Sequence, residues 1–360
     1  MKIKVNTAVL LVAISLTSCM PEVKPSSTAT STPVVIPTKT PTPTPTATIM
    51  PTPKSWHWSN SLVTFNDMAV LPNKEVWAIG QHGTIIHDRL GVYHLENPFD
   101  YSGEYNFAGH GYLSGVSFIS PSDGWLTAFG GQIFHWDGQE WTNVVPFGFE
   151  NPVLLDIKFA NENNGWVTGC NHDNNDAPVL MQWKDNSWKN ISLSGEITNG
   201  YCLEDIDIVS ETNVWIVGDK FQKGAIIHWD GTQWQNIDVP SEMKGGEAIS
   251  VTSSSDVWVW DGEKIFYWNG STWEYMELPV SFWYSENDSA SPDVLALSQD
   301  NVWVGGRTLF HWNGHEWNNA DYDTDFGYIV DIEVDSDGDI WALTLTGIIL
   351  QLKNVESGVP

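Results

Sequence analysis

From about residue 55 onward, short apolar runs alternate with polar turns. This is the pattern of β-strands that bury one face and hand over at Gly, Asn or Asp. The runs repeat as larger units: an apolar strand, a polar turn, then a second strand opened by Val76-Trp77, Gly124-Trp125, Gly165-Trp166, Val214-Trp215, Val257-Trp258, Val302-Trp303 or Ile340-Trp341. These seven copies recur at 48, 41, 49, 43, 45 and 38 residues, the length of a four-stranded propeller blade. A third strand ends in pairs such as His135-Trp136, His228-Trp229 and His311-Trp312. Tight-turn dipeptides follow (Asp137-Gly138, Asp230-Gly231, Asn269-Gly270, Asn313-Gly314), and a fourth strand opens with Trp141, Trp188, Trp234, Trp273 or Trp317. The pattern predicts an all-β fold, a seven-bladed β-propeller of four-stranded blades.

The seventh copy has no fourth strand of its own after Ile348-Ile-Leu-Gln-Leu-Lys-Asn354. Trp58-Ser-Asn-Ser-Leu-Val63 reads like Trp141-Thr-Asn-Val-Val-Pro146, so the expectation is that this N-terminal strand closes the last blade and leaves no open edge.

The first 54 residues read differently. Lys2 and Lys4 precede an apolar run from Val5 to Leu16, too short for a stable span, and Leu16-Thr-Ser-Cys19 follows. Residues 1–18 are expected to be a lipoprotein signal peptide. Cys19 is then the lipidated N-terminus, residues 19–54 a Pro/Thr-rich extended stalk, and residues 55–360 the propeller. This places the protein outside the cytoplasmic membrane, held to it by the lipid.

Charge narrows the partners. From Ser55 on there are 44 acidic and 11 basic residues, an imbalance that excludes nucleic acid and anionic lipid surfaces as ligands. The repeat tryptophans read as packing between blades, and His87, His135, His228 and His311, which recur at one blade position, read as scaffold.

The Asp/Asn-x-Trp strand followed by Ile-x-His-Trp-Asp-Gly-x-x-Trp resembles secreted bacterial propellers with BNR or Asp-box repeats, among them sialidase-like and photosystem II assembly-factor-like proteins. The resemblance spans Ser55 to Asn354 and implies the propeller fold. It carries little function. Gly270, Thr272 and Trp273 match the end of an Asp-box, but Trp268 stands where its Asp belongs. Sialidases grip a carboxylate with three arginines, and this chain has only Arg89 and Arg307. An assembly factor of the photosystem type implies a basic patch, which the sequence lacks.

Two groups of residues remain as site candidates on the face formed by the loops between second and third strands and between blades. Aromatics outside the repeat (Tyr105, Phe282, Trp283, Tyr284 and Tyr322) suit stacking on a sugar ring or a partner protein. Ten residues before each repeat tryptophan stand Asp67, Gly115, Asp156, Asp205, Ala248, Asp293 and Asp331. The five aspartates are expected to ring the channel mouth, either accepting backbone N–H bonds or converging on Ca2+. Cys170 and Cys202 fall on neighbouring blades at the same face and are expected to form a disulfide outside the cytoplasm. The sequence reads best as a monomeric, non-catalytic surface protein that binds a protein or glycan. A carbohydrate-active hydrolase or lyase, or an assembly factor for a membrane or envelope complex, are the alternatives.

Overall fold

The computed structural model describes residues 46–49, 64–89, 92–96, 112–144, 152–171, 177–193, 201–219, 223–279, 292–320 and 327–353. The chain divides into two units, Met1–Val35 and Ile36–Pro360, and every described residue belongs to the second. That unit is a seven-bladed β-propeller: seven antiparallel sheets of four strands, with one 3-10 turn at Gln81–Gly83 the only helical element among the described residues. Blade 1 comprises Phe65–Val70, Val76–Gly80, Ile85–Arg89 and Val92–Glu96. Blades 2 to 6 follow as residues 113–143, 153–190, 202–237, 248–276 and 294–319. Blade 7 contributes Ile329–Val334, Ile340–Thr344 and Ile349–Lys353.

The tryptophan that opens each second strand is at most 3 % exposed, because it lies between blades. Trp77 of blade 1 meets Trp136 and Trp141 of blade 2 at 5.2 and 5.8 Å, and Trp125 of blade 2 meets Trp183 and Trp188 of blade 3 at 4.8 and 5.6 Å. On its other side the ring stacks on the blade's own histidine, as Trp77 on His87 and Trp215 on His228. The carboxamide of Asn213 fixes both partners, accepting from the Trp215 indole and His228 Nε2 at 2.8 Å each. Asn301 does the same for Trp303 and His311, and Asp123 for Trp125 and His135. The histidines are therefore part of the scaffold. A Trp, a His and one amide or carboxylate are held as a unit, which explains why all three recur with the blade.

The ring closes with an N-terminal strand, but a different one from that expected. Thr46–Ile49 pairs antiparallel with Ile349–Lys353, placing Thr46 opposite Lys353 and Ile49 opposite Leu350. Trp58–Val63 lies outside the described residues. Two physical reasons favour the earlier segment. Between Pro45 and Pro51 the stalk has a window free of proline, so every N–H can donate to a ladder. Chain length also favours it. A strand Trp58–Asn60 would leave only residues 61–64 to cross from the outside of blade 7 to the innermost strand of blade 1 at Phe65, whereas the shortest other crossings, residues 144–152 and 320–328, each use nine. Part of the expected stalk is thus a strand.

The seam between blades 7 and 1 is reinforced on the opposite face. Lys74 Nζ lies 3.3, 2.8 and 3.2 Å from carboxylates of Asp335, Asp337 and Asp339, and Lys353 also reaches Asp339. The Asp335-Ser-Asp337-Gly-Asp339 segment is a tight turn whose charge is met by Lys74 and Lys353.

Candidate functional site

Five innermost strands carry an aspartate at the position read from the sequence, and the structure shows what each carboxylate does. Asp67 accepts the N–H of Met68 in its own strand and, at 2.6 Å, that of Val116 in the next blade. Asp156 bonds Ile157 and Ile206, Asp205 bonds Ile206 and Ile249, and Asp293 bonds Val294 and Ile332. Asp331 completes the circle by accepting from Met68 at 2.7 Å, blade 7 to blade 1. Each aspartate therefore staples its blade to its neighbour through a backbone N–H. Where the aspartate is replaced by Gly115 or Ala248, a serine two residues on takes over: Ser117 Oγ accepts from Phe159 and Ser250 Oγ from Ala296. Among the described residues no group of three His, Cys, Asp or Glu side chains is arranged to hold a metal ion.

These carboxylates line a cavity of about 320 Å³ that opens at the loop end of the innermost strands. Its walls also hold Glu204, Asp207, Glu247, Glu333 and, alone in charge, Lys158. Nine carboxylates thus face one ammonium. Two backbone rules place them. Side chains two apart share a face, so Lys158, Asp207 and Glu333 stand one layer below Asp156, Asp205 and Asp331. A bulge interrupts the ladder between Leu203 and Asp205, and again at the corresponding place in blades 1, 3 and 7, which turns Glu204, Asn66, Leu155 and Val330 toward the same cavity. The two-residue alternation was a usable sequence signal for the lower layer. The bulge residues had none.

Crowding shifts their ionisation. Burial, then the neighbouring charges of Asp331, Asp156 and Asp293 respectively, raises Asp67, Asp205 and Asp331 well above the usual carboxylate range. Burial pushes Asp293 up to about 7, and burial with Asp219 and Glu247 pushes Glu204 up to about 7. For Lys158, burial works against the charge, but Glu333, Asp156, Asp67 and Asp331 outweigh it and the ammonium is held well above its ordinary pKa. It lies 3.6 Å from Glu333, each side chain about a third exposed to the cavity (32 % and 27 %). The arrangement is an acidic funnel in which Asp293 and Glu204 take up protons as pH falls toward 7.

Of the second candidate group, Tyr105, Phe282, Trp283, Tyr284 and Tyr322 lie outside the described residues, as does Cys19. Cys170 and Cys202 are joined as a disulfide with Cα atoms 4.7 Å apart, linking the second strand of blade 3 to the first of blade 4 near the funnel rim. No helix among the described residues is long and apolar enough to cross a membrane.

No protein-family model matches the chain, and no curated protein sequence does. Solved structures do. A structure of YCF48 bound to a D1 peptide aligns with a TM-score of 0.61 at 17 % identity, over 89 % of this chain and 98 % of that one. YCF48 from Cyanidioschyzon merolae gives 0.58 at 12 % over 85 % and 98 %, and a streptogramin B lyase gives 0.62 at 14 % over 85 % and 96 %. At these identities the likeness establishes the fold. Chains of this fold thus include YCF48, a streptogramin B lyase and the WD40 repeats of RRP9.

Proposed function

We propose that this chain is an extracytoplasmic, lipid-anchored, non-catalytic propeller that captures a cationic segment of a partner protein in its acidic funnel. The observation that carries the reading is the lining of that cavity, nine carboxylates against Lys158. A low-dielectric concavity lined by one sign of charge focuses its field on an opposite charge and is screened by salt less than an exposed patch. YCF48, of the same fold, has been solved with a peptide bound, which makes a peptide a reasonable occupant of such a ring. The lipobox around Cys19 and the Pro/Thr-rich stretch after it support a tether that lets the propeller reach partners at the envelope.

The test is a peptide array of lysine- and arginine-bearing sequences with neutral counterparts, alongside a glycan array. Lysine or arginine peptides are expected to bind, more tightly at pH 8 than at pH 5 because the raised carboxyls of Glu204 and Asp293 are ionised only at the higher pH. A Glu204→Gln/Glu247→Gln variant should lose at least about tenfold in affinity, the scale of one or two charge-assisted contacts. Glycan hits without peptide hits, or affinity indifferent to these residues, would refute it.

One observation favours a second reading, a hydrolase or lyase. Glu204, pushed up to about 7 by burial and by the neighbouring Asp219 and Glu247, holds a proton near neutral pH as a general acid does. That reading requires Glu204→Gln to abolish turnover of a bound ligand while leaving its affinity intact.

A further inference from the structure

We propose that the funnel selects a cation carried on an alkyl stem, such as a lysine side chain presents, through a ring of one residue per blade in which two adjacent glutamates are bracketed by apolar side chains. The inference rests on the cation-capturing reading of the funnel and specifies its guest.

The ring occupies the position immediately before the aspartate position of each innermost strand, and all seven of its residues line the cavity. Simple alternation along a strand would turn this residue away from the axis. In blades 1, 3, 4 and 7 it is instead the residue that the ladder skips, and the bulge turns it inward beside its aspartate. Each innermost strand begins at the loop end, so among the described residues this ring stands above the aspartates. Lys158, Asp207 and Glu333 stand below them.

The aspartate repeats around the circle, whereas this ring differs from blade to blade. Blades 1 and 2 supply Asn66 and Ser114, which are engaged within the scaffold: Asn66 Nδ2 donates to the Leu113 carbonyl at 2.7 Å and Ser114 Oγ to that of Leu154 at 2.8 Å. Blades 4 and 5 supply Glu204 and Glu247, neighbours on the circle. Leu155 of blade 3 stands on one side of this pair, and Pro292 of blade 6 and Val330 of blade 7 on the other. Phe129 of blade 2, stacked on Tyr112 with ring centres 5.7 Å apart, adds an aromatic wall.

The two parts of the ring ask for different chemistry in one guest. The glutamates attract positive charge. Leucine, proline and valine offer no acceptor from their side chains and gain only from contact with hydrocarbon. A compact ion such as Ca2+ draws on six to eight oxygens and makes no use of such a wall. An amine on a chain of methylenes uses both, its stem lying along apolar surface while its head meets the carboxylates.

The experiment uses the full chain at pH 8, above the value of about 7 to which Glu204 is pushed. The n-alkylammonium ions from methyl to hexyl, all of one charge, are titrated by calorimetry and in competition with a labelled lysine peptide. Ca2+ and n-hexanol serve as controls. Affinity is expected to rise about two- to fourfold per methylene, fourfold being the value for a methylene fully buried, and to exceed that of both controls. Glu204→Gln/Glu247→Gln should weaken the whole series by a common factor and keep its slope. Leu155→Asn, at a half-buried position, and Val330→Thr, which keeps the branched shape, should flatten the slope and leave methylammonium unchanged. Thermal melts confirm that each variant folds. Lysine-peptide binding with no dependence on chain length, or a slope unmoved in both apolar variants, would overturn this inference and leave the capture of cations standing. Failure of every ammonium and lysine peptide to bind the native chain would overturn both.

Discussion

The staple from Asp331 to Met68 is the most direct place to test how the ring is held, because it crosses the seam between the last blade and the first. The carboxylate is 8 % exposed and accepts the Met68 N–H at 2.7 Å. Truncation to alanine removes one of the amide's two acceptors and leaves the Met68 N–H with Asp67 Oδ1 alone, so the cost is that of one hydrogen bond between blades, about 0.5–1.5 kcal/mol, and not that of an unpaired amide. Asparagine keeps an acceptor and removes the charge. Against the native charge stand its burial and the repulsion of Asp293 and Glu333, which raise its pKa well above the usual range. A carboxyl whose folded pKa is raised binds its proton more tightly folded than unfolded, so it lowers stability as pH rises above about 3.9. Asp331→Asn should therefore match the native protein near pH 4 and gain on it toward pH 8. Asp331→Ala should remain about 0.5–1.5 kcal/mol below Asp331→Asn at both pH values. Urea unfolding followed by circular dichroism measures this, with the slope reporting whether the ring still unfolds as one unit. If alanine proved as stable as asparagine, the carboxylate would not be a staple.

Further outcomes follow from the same geometry. His311 is 1 % exposed and burial lowers its pKa to about 4, so its contribution is complete above pH 6.5 and is lost as pH falls toward 4; relative to His311→Gln, the native protein should lose about 3 kcal/mol over that window in parallel urea titrations, and parallel curves would refute it. Removing the funnel ammonium with Lys158→Met leaves Glu333 without its cation, so the melting temperature should fall at pH 8 and recover toward pH 5 as Glu333 takes up a proton; a drop independent of pH would point to lost packing instead. Replacing Cys170 and Cys202 by serine opens a cross-link spanning 32 residues, for which chain entropy predicts a loss of about 3–4 kcal/mol, read by urea unfolding without reductant and absent if the thiols are free in solution.

How much of this was legible beforehand depends on the range over which each feature is decided. The blades were, because a four-stranded blade is a local object: alternation, Asn-Gly and Asp-Gly turns and the recurring Trp and His are set within about 45 residues. The aspartate positions were legible for the same reason, being a fixed ten residues before each repeat tryptophan. Their role was left open between amides and Ca2+, since the N–H that each accepts belongs to the next blade. Closure was legible in kind and wrong in place. Similarity of Trp58-Ser-Asn to Trp141-Thr-Asn is a local signal, but the choice of closing strand turns on the length of chain needed to cross from the outer to the innermost strand, a distance only the assembled ring defines. The funnel is the clearest tertiary product. Lys158, Glu204, Glu247 and Glu333 are scattered over blades 3, 4, 5 and 7; Lys158 and Glu333 stand two residues after a repeat aspartate, but nothing near Glu204 or Glu247 in sequence marks either as special. They meet because seven innermost strands converge on one axis and because bulges rotate single residues inward. Their shared charge and raised pKa values are properties of that convergence and not of any segment of the chain.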